Sequence, residues 1–307
     1  MKKTLFAAMV LMLALVLCAC SQQPPDGLKK ETAEDAVVIP AEPEESAALQ
    51  FIGTLYFAYG DTGLMRQETR QITMLPNETR EKALVRALLE GSREAGSRAL
   101  FPDKAEVLST QAQEGVIYIT FNEAFYDRYT DGEAEETRGR MALDALTATL
   151  TESGEYRSVQ VLVRAEENIG RSMRLTSRFL GEEPETVLPP CTRQSASLPT
   201  PAAYAAHLLM AWQERSAEAL SPFVSAREGQ LLAEDLSAAM ALTDFTVHEG
   251  TAGPDGSYAV VCADLTLRDA AGGERALSSY PLRLIREGGA WKITRAQLLE
   301  IMGESYE

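Results

Sequence analysis

Val116-Ile117-Tyr118-Ile119-Thr120-Phe121 is a run of β-branched and aromatic side chains with no charge in it. Residues of this kind fill a pleated surface buried on both sides, so the run reads as a central strand. Gly115 separates it from another strand-like run, Glu106-Val107-Leu108. Downstream, Met141, Ala142, Ala145, Leu146, Thr149 and Leu150 share one face of a helix expected over 135–152, which Gly154 closes. Val159-Gln160-Val161-Leu162-Val163 alternates again and is expected to pair back into the same sheet. Upstream, Leu55-Tyr56-Phe57-Ala58-Tyr59 is a strand ended by Gly60-Asp61, and a second extended run covers about 67–74. Leu75-Pro76-Asn77-Glu78 signals a helix start with Asn77 as N-cap. Leu84, Val85, Leu88 and Leu89 follow at helical spacing, and Gly91 is the stop. The order strand, strand, helix, strand, strand, helix, strand predicts an α+β fold, with one small mixed sheet carrying two helices on one face.

The segments "TLYFAY", "LPNETREKALVRALLEG", "LFP", "VIYITFNEAF" and "RMALDALTATLTESGEYRSVQVLV" occur in that order over about residues 54–175. This distributed pattern resembles the GerM-type domain of sporulation and spore-germination proteins. The resemblance implies an exported envelope protein of Gram-positive bacteria. Some members resemble ring-building modules of secretion assemblies, which implies binding to other proteins and not turnover.

A proline-rich stretch, 182–201, reads as a linker. Beyond it, Pro201 opens a helix with Tyr204, Leu208 and Trp212 on one face. Strands are then expected over 245–249, 258–268, 276–286 and 291–294, punctuated by Ala270-Ala271-Gly272-Gly273 and Glu287-Gly288-Gly289. Helices followed by an antiparallel meander, ending in "YPLRLIREGGAWKITRAQL", resemble the nuclear-transport-factor-two-like cone.

The N-terminus carries a different message. Lys2 and Lys3 precede an apolar run over 5–17, and Ala19 stands before Cys20. This is the grammar of a secretory signal, and the apolar run falls short of the roughly 20 residues of a membrane-spanning helix. Leu17-Cys18-Ala19-Cys20 resembles the bacterial lipobox, in which the cysteine is diacylated and becomes the first residue of the mature protein. Two acyl chains anchor stably where one does not. Residues 21–48 are polar, acidic and proline-rich with no apolar period, and read as a disordered tether. Such a coil has an end-to-end distance of roughly 30 Å. The expected organisation is therefore signal peptide 1–19, tether 20–50, GerM-type domain 51–181, linker 182–201 and cone domain 202–307.

The formal net charge is −16, spread along the chain with no basic segment. Nucleic acid and anionic membrane surfaces both require cationic clusters, so neither is an expected partner. With Cys18 and Cys20 assigned to the signal and the lipid, Cys191 and Cys262 are left either to pair or to stay free. His207 and His248 show no metal-ligand spacing with them, and no metal or cofactor is implied. The acidic run Asp131-Gly132-Glu133-Ala134-Glu135-Glu136, with Asp127, lacks EF-hand order and reads as a solvated helix start. There is no Gly-x-x-x-x-Gly-Lys and no Gly-x-Ser-x-Gly.

Two constellations are left as site candidates. In a cone fold, Asp244 or Asp264 could serve as a general base with Tyr204 or Tyr280 as donor, against a reading of all four as surface carboxylates and core aromatics. Phe125, Tyr126 and Tyr129, beside Asn122, form a partner patch by residue type, or else core. The expectation is a lipid-anchored scaffold or adaptor on the outer face of the cytoplasmic membrane. Its partners would be envelope proteins or peptidoglycan, in a setting such as sporulation or germination, and a homo-oligomer is compatible with it. The competing expectation is a tethered cone with a small-ligand or weakly catalytic pocket. Cys20→Ala is expected to shift the protein from the membrane fraction to the medium; retention on washed membranes would contradict the lipid anchor.

Overall fold

A computed structural model of the chain describes residues 49–127, 135–164, 171–182, 185–228, 235–236 and 239–303. Cys20, the tether through residue 48, Tyr129 and acidic residues 131–134 lie outside them. The described residues all fall in one compact unit, Ala47–Glu307.

The first hairpin joins β1 (Gln50–Tyr59) to β2 (Met65–Thr73), in register from Gln50 opposite Thr73 to Ala58 opposite Met65. β1 thus begins at the end of the stretch read as tether. Its turn is held by the Thr62 hydroxyl, which donates to the Tyr59 carbonyl at 2.6 Å. β3 (Ser97–Arg98) pairs on the other side of β1. Helix α1 (Arg80–Leu89) is capped by Thr79, whose Oγ1 accepts the Lys82 amide at 3.2 Å. Asn77, the expected cap, instead adopts φ +62° in the turn before it. Asparagine tolerates that conformation, so it shapes the approach and leaves the cap to threonine. At the other end Arg70 donates to the carbonyls of Ala87 (3.2 Å) and Gly91 (3.0 Å), satisfying acceptors that the helix leaves open.

β4 (Val107–Gln113) and β5 (Val116–Asn122) form a hairpin through Glu114 and Gly115, both at positive φ, the twist-matching turn type. Helix α2 (Glu135–Thr151) then crosses to β6 (Ser158–Arg164), which pairs with β5 in parallel. β7 (Met173–Arg174) and β8 (Cys191–Thr192) add to β6 antiparallel. The strands therefore fall into two sheets, β2-β1-β3 and β4-β5-β6-β7 with β8 on β6, where one was expected. The reason lies in the helices: α1 and α2 each contact strands of both sheets, so an apolar stripe on one face would not suffice. Accordingly Ala142, Ala145, Leu146, Ala148 and Leu150 are all buried, together with Thr147, Thr149 and Thr151. The hydroxyls of Thr147 and Thr151 donate back to the carbonyls of Leu143 and Thr147 (2.7 Å each), and Thr149 Oγ1 accepts the Tyr56 amide of β1 at 3.1 Å. A helix can bury threonines only when each hydroxyl finds such a partner.

The second module opens with α3 (Pro201–Gln213), capped by Thr200 and started by Pro201 as expected. The short α4 (Ala217–Leu220) follows. An antiparallel meander runs β9 (Ala241–Ala252), β10 (Tyr258–Arg268), β11 (Glu274–Glu287), β12 (Ala290–Ile293), with α5 (Arg295–Met302) at its end. α3 lays Tyr204, Ala205, Leu208, Leu209 and Trp212 against the inward residues Ala259, Val261, Ala263, Leu265, Leu282 and Leu284. At roughly 1.5–3 kcal/mol for each large apolar side chain removed from water, this stripe explains why the helix forms here. The whole is a sheet-dominated α+β architecture with few helices.

Within β2, Glu68 and Arg70 share a face and pair, with the Arg70 Nε donating to the carboxylate at 3.0 Å. Ser92 Oγ (2.9 Å) and the Arg93 amide (3.1 Å) also donate to Glu68. Burial alone would raise the Glu68 carboxyl, but these hydrogen bonds outweigh it and hold it below its usual range. A depressed carboxylate contributes stability that is present above its unfolded pKa and lost as pH falls through the folded one. Glu68→Gln is therefore expected to flatten the fall in urea-unfolding stability between about pH 5 and pH 3; an unchanged slope would contradict this account.

Candidate functional site

The most elaborate polar construction in the structure lies where the β1–β2 hairpin meets the second module. Tyr59 and Leu64, at the hairpin's turn, belong to the core of the C-terminal module and not to that of their own sheet. The Tyr59 hydroxyl donates to the Pro222 carbonyl, and the Tyr204 hydroxyl to Met65 at 2.9 Å. Their rings lie 5.8 Å apart. Burial pushes the Tyr59 phenol up to about 12 against the opposing pull of Arg66. Tyr204, buried more deeply, is displaced in the same direction. Both are therefore fixed donors at physiological pH.

Arg66 is the centre of this seam. It is 3 % exposed, yet its guanidinium is saturated: Nε donates to Gly288 O at 2.6 Å, Nη2 to the same oxygen, and Nη1 to Ala95 O at 2.6 Å and Ser97 Oγ at 3.3 Å. Its carbon stands 5.3 Å from the Tyr59 ring centre, and Glu94 lies at 3.8 Å. A buried cation without such partners would be strongly destabilising. The Gly288-Gly289 turn that receives it presses on β2 so closely that the Gln67 amide donates to Gly289 O at 3.3 Å. A Cβ added to Gly289 would fall 1.9 Å from the Gln67 carbonyl oxygen, and both glycines sit at positive φ (53° and 80°). Only glycine permits both the conformation and the approach. Arg286 completes the contact, donating to Gln67 Oε1 and stacking 5.4 Å over Trp291, whose indole N–H reaches Pro199 O at 3.0 Å.

Beside the seam opens a cleft of about 420 Å³ lined by Tyr59, Gly60, Arg66, Ser225, Ala226 and Lys292, among others. Glu287 anchors its C-terminal wall, accepting from Ser225 Oγ (2.6 Å) and Arg227 Nε (2.9 Å), with Lys292 Nζ at 3.9 Å. Burial pulls the Lys292 ammonium below its usual value; Glu287 opposes the shift and Arg66 reinforces it. The donors of Arg66 are directed to Gly288 O, Ala95 O and Ser97 Oγ, so the cleft offers a polar recess for a small group.

The residues singled out from the sequence scatter. Phe125 has no exposed surface and stacks between Phe121 (4.2 Å) and Phe179 (4.9 Å), so it takes no part in a surface patch. Phe179, which lies far along the chain, closes over it. Tyr126 is half-buried, its hydroxyl 3.2 Å from Thr176 Oγ1 and its ring under Arg178. Asp264 and Tyr204 point to opposite sides of the sheet, because Ala263 and Leu265 are the inward residues flanking Asp264. Asp244 is exposed. Asp264 accepts the Ser279 amide (2.6 Å) and pairs with His248 Nε2 (3.0 Å), and the amide and the histidine together hold it below the usual carboxylate range. Tyr280 lines a separate cleft along β11. The space between α3 and the sheet, where the competing reading placed a cone pocket, is filled by Trp212, Tyr204 and the leucines around them. Cys191 packs on the first core in β8 and Cys262 sits in β10, and both are free thiols. His207 Nδ1 contacts its own helix at Ala203 O. Among the described residues, His, Cys, Asp and Glu side chains nowhere gather in threes.

Sequence reasoning missed Arg66 and saw Gly288-Gly289 only as a loop; the paired glycines were the one legible hint. Gly289→Ala is expected to destabilise by about 2–4 kcal/mol in urea unfolding, from clash and φ strain together. Gly272→Ala is the control, with φ +86° and nothing within 4 Å of the added carbon; it should cost about 1 kcal/mol. Equal costs would mean the seam contributes nothing.

Residues 54–168 match the family described as "Germane: Sporulation and spore germination". Among solved structures, the tandem GerMN domains of the Bacillus subtilis sporulation protein GerM are similar at 17% identity and a TM-score of 0.29, over 50% of this chain and 55% of that one. The first GerMN domain of the same protein is similar at 17% identity and a TM-score of 0.28, over 41% of this chain and 93% of that one. A Clostridium perfringens protein provisionally named a lipoprotein is similar at 21% identity and a TM-score of 0.25, over 38% and 74%. The chain thus spans only about half the length of the tandem-domain structure. No curated protein matches the chain. The family match is confined to residues 54–168, within the first of the two modules.

Proposed function

We propose that the protein is an extracytoplasmic adaptor, anchored through lipid on Cys20 to the outer face of the cytoplasmic membrane of a Gram-positive bacterium, that holds envelope proteins or peptidoglycan in place, in a setting such as sporulation or germination. The observation that carries this reading is the seam. A Germane domain whose first hairpin is built into the core of its neighbour presents two modules as one body, which suits positioning a partner. The ring-building likeness of the first module and the cone likeness of the second belong to the same proposal. Fold alone does not confer chemistry, so neither likeness implies catalysis. The dispersal of Asp244, Asp264, Tyr204 and Tyr280 supports binding over proton abstraction. Among the described residues no helix is long and apolar enough to cross a membrane.

The test is photo-cross-linking in intact cells, with the probe at exposed positions of the full chain, alongside co-sedimentation of the secreted Cys20→Ala protein with purified peptidoglycan. One envelope protein recovered reproducibly, or saturable sedimentation, is the expected result. Failure of both would remove the adaptor reading.

A further inference from the structure

β12 pairs with β11 only from Leu284 to Glu287. Over 274–283, β11 has β10 on one flank, with a bulge at Ser278 and Ser279 where the register shifts, and, among the described residues, no strand on the other. That flank opens into a cleft of about 890 Å³ between β11 and α5, whose lining includes Arg275, Tyr280, Arg283, Gln297 and Glu300. An unpaired edge is a row of open backbone donors and acceptors, ready to accept another chain.

The structure holds a fragment of such a pairing already. Gln297 of α5 turns its side-chain amide onto the edge: Nε2 donates to Pro281 O at 3.2 Å, and Oε1 accepts from Arg283 N at 3.2 Å. It bonds as a peptide group of a neighbouring strand would. Upstream of Pro281 nothing similar occupies the described edge. The charges flanking it are specific. Arg275 and Arg283 are exposed and, among the described residues, have no carboxylate partner, whereas Arg268, Arg227 and Arg295 of the same module pair with Glu274, Glu287 and Asp235. Glu300, the acid of the cleft, stands on the helix side. In a chain of net charge −16, two uncompensated arginines on one open strand favour an anionic occupant and repel a second copy of the same edge.

We propose that the 274–283 edge of β11 receives an extended, acidic peptide segment by strand addition, its backbone continuing the sheet where Gln297 stops and its carboxylates meeting Arg275 and Arg283. This names a partner class for the adaptor reading and rests on that reading only for its setting.

The test is fluorescence anisotropy of a labelled peptide of alternating glutamate and valine against the secreted Cys20→Ala protein. Saturable binding is expected. It should weaken roughly tenfold for each arginine reversed in R275E and R283E, and be lost when alternate peptide nitrogens are methylated, which removes strand pairing while leaving charge. A lysine–valine peptide should bind the R275E/R283E variant better than the parent, which also shows that the variant folds. No binding, or binding indifferent to N-methylation, overturns the proposal. So does self-association of an R275S/R283S variant in ultracentrifugation without peptide binding, since the arginines would then be guards of the edge. Envelope cross-links that survive R275E/R283E unchanged would sink this site while leaving the adaptor reading intact.

Discussion

Arg66 is a cation taken out of water, and the arrangement around it follows from the need to satisfy that charge. Its fork must find oxygen acceptors, and the nearest are backbone carbonyls of Gly288 and Ala95. That need draws the β11–β12 turn against β2, which requires glycine at Gly289. Removing one side would leave a desolvated guanidinium, so the two modules are coupled far more tightly than a proline-rich connection suggests. The aromatic cluster of Tyr59, Tyr204 and Phe223 closes the same junction with apolar area and two fixed hydroxyl donors.

The same coupling explains the stretch 182–201. Cys191 and Thr192 join the sheet of the first module, Arg193 donates to Glu152 at 2.7 Å, and Ser197 Oγ donates to Asp144 at 3.1 Å. Pro199 then offers its carbonyl to Trp291. The prolines are compatible with this because, among the described residues, the segment pairs through the two-residue β8, a bridge at Val187 and side-chain contacts, which need few backbone donors.

What could be read from the sequence was local. Gly115, Gly272-Gly273 and Gly288-Gly289 marked real hairpins, and Pro201 a real helix start. The errors came from partners distant in sequence. Nothing in Leu55–Tyr59 says that its sheet excludes β5, since strand pairing depends on which helix face intervenes. Phe125 was left between patch and core because Phe179, which covers it, lies outside any local window. Arg66 sits in an ordinary alternating strand, and its burial is decided by a turn more than two hundred residues away. The acid–tyrosine candidates dispersed for a simpler reason: strand parity put Asp264 outward while Tyr204 was claimed by the seam.

Hydrogen exchange followed by mass spectrometry on the intact protein measures the coupling directly. If the modules open as one body, peptides covering β1–β2 and β11–β12 should exchange with a common opening free energy and respond together to urea. Exchange of either hairpin at a markedly lower free energy, with the other unaffected, would show two independent modules and contradict the account.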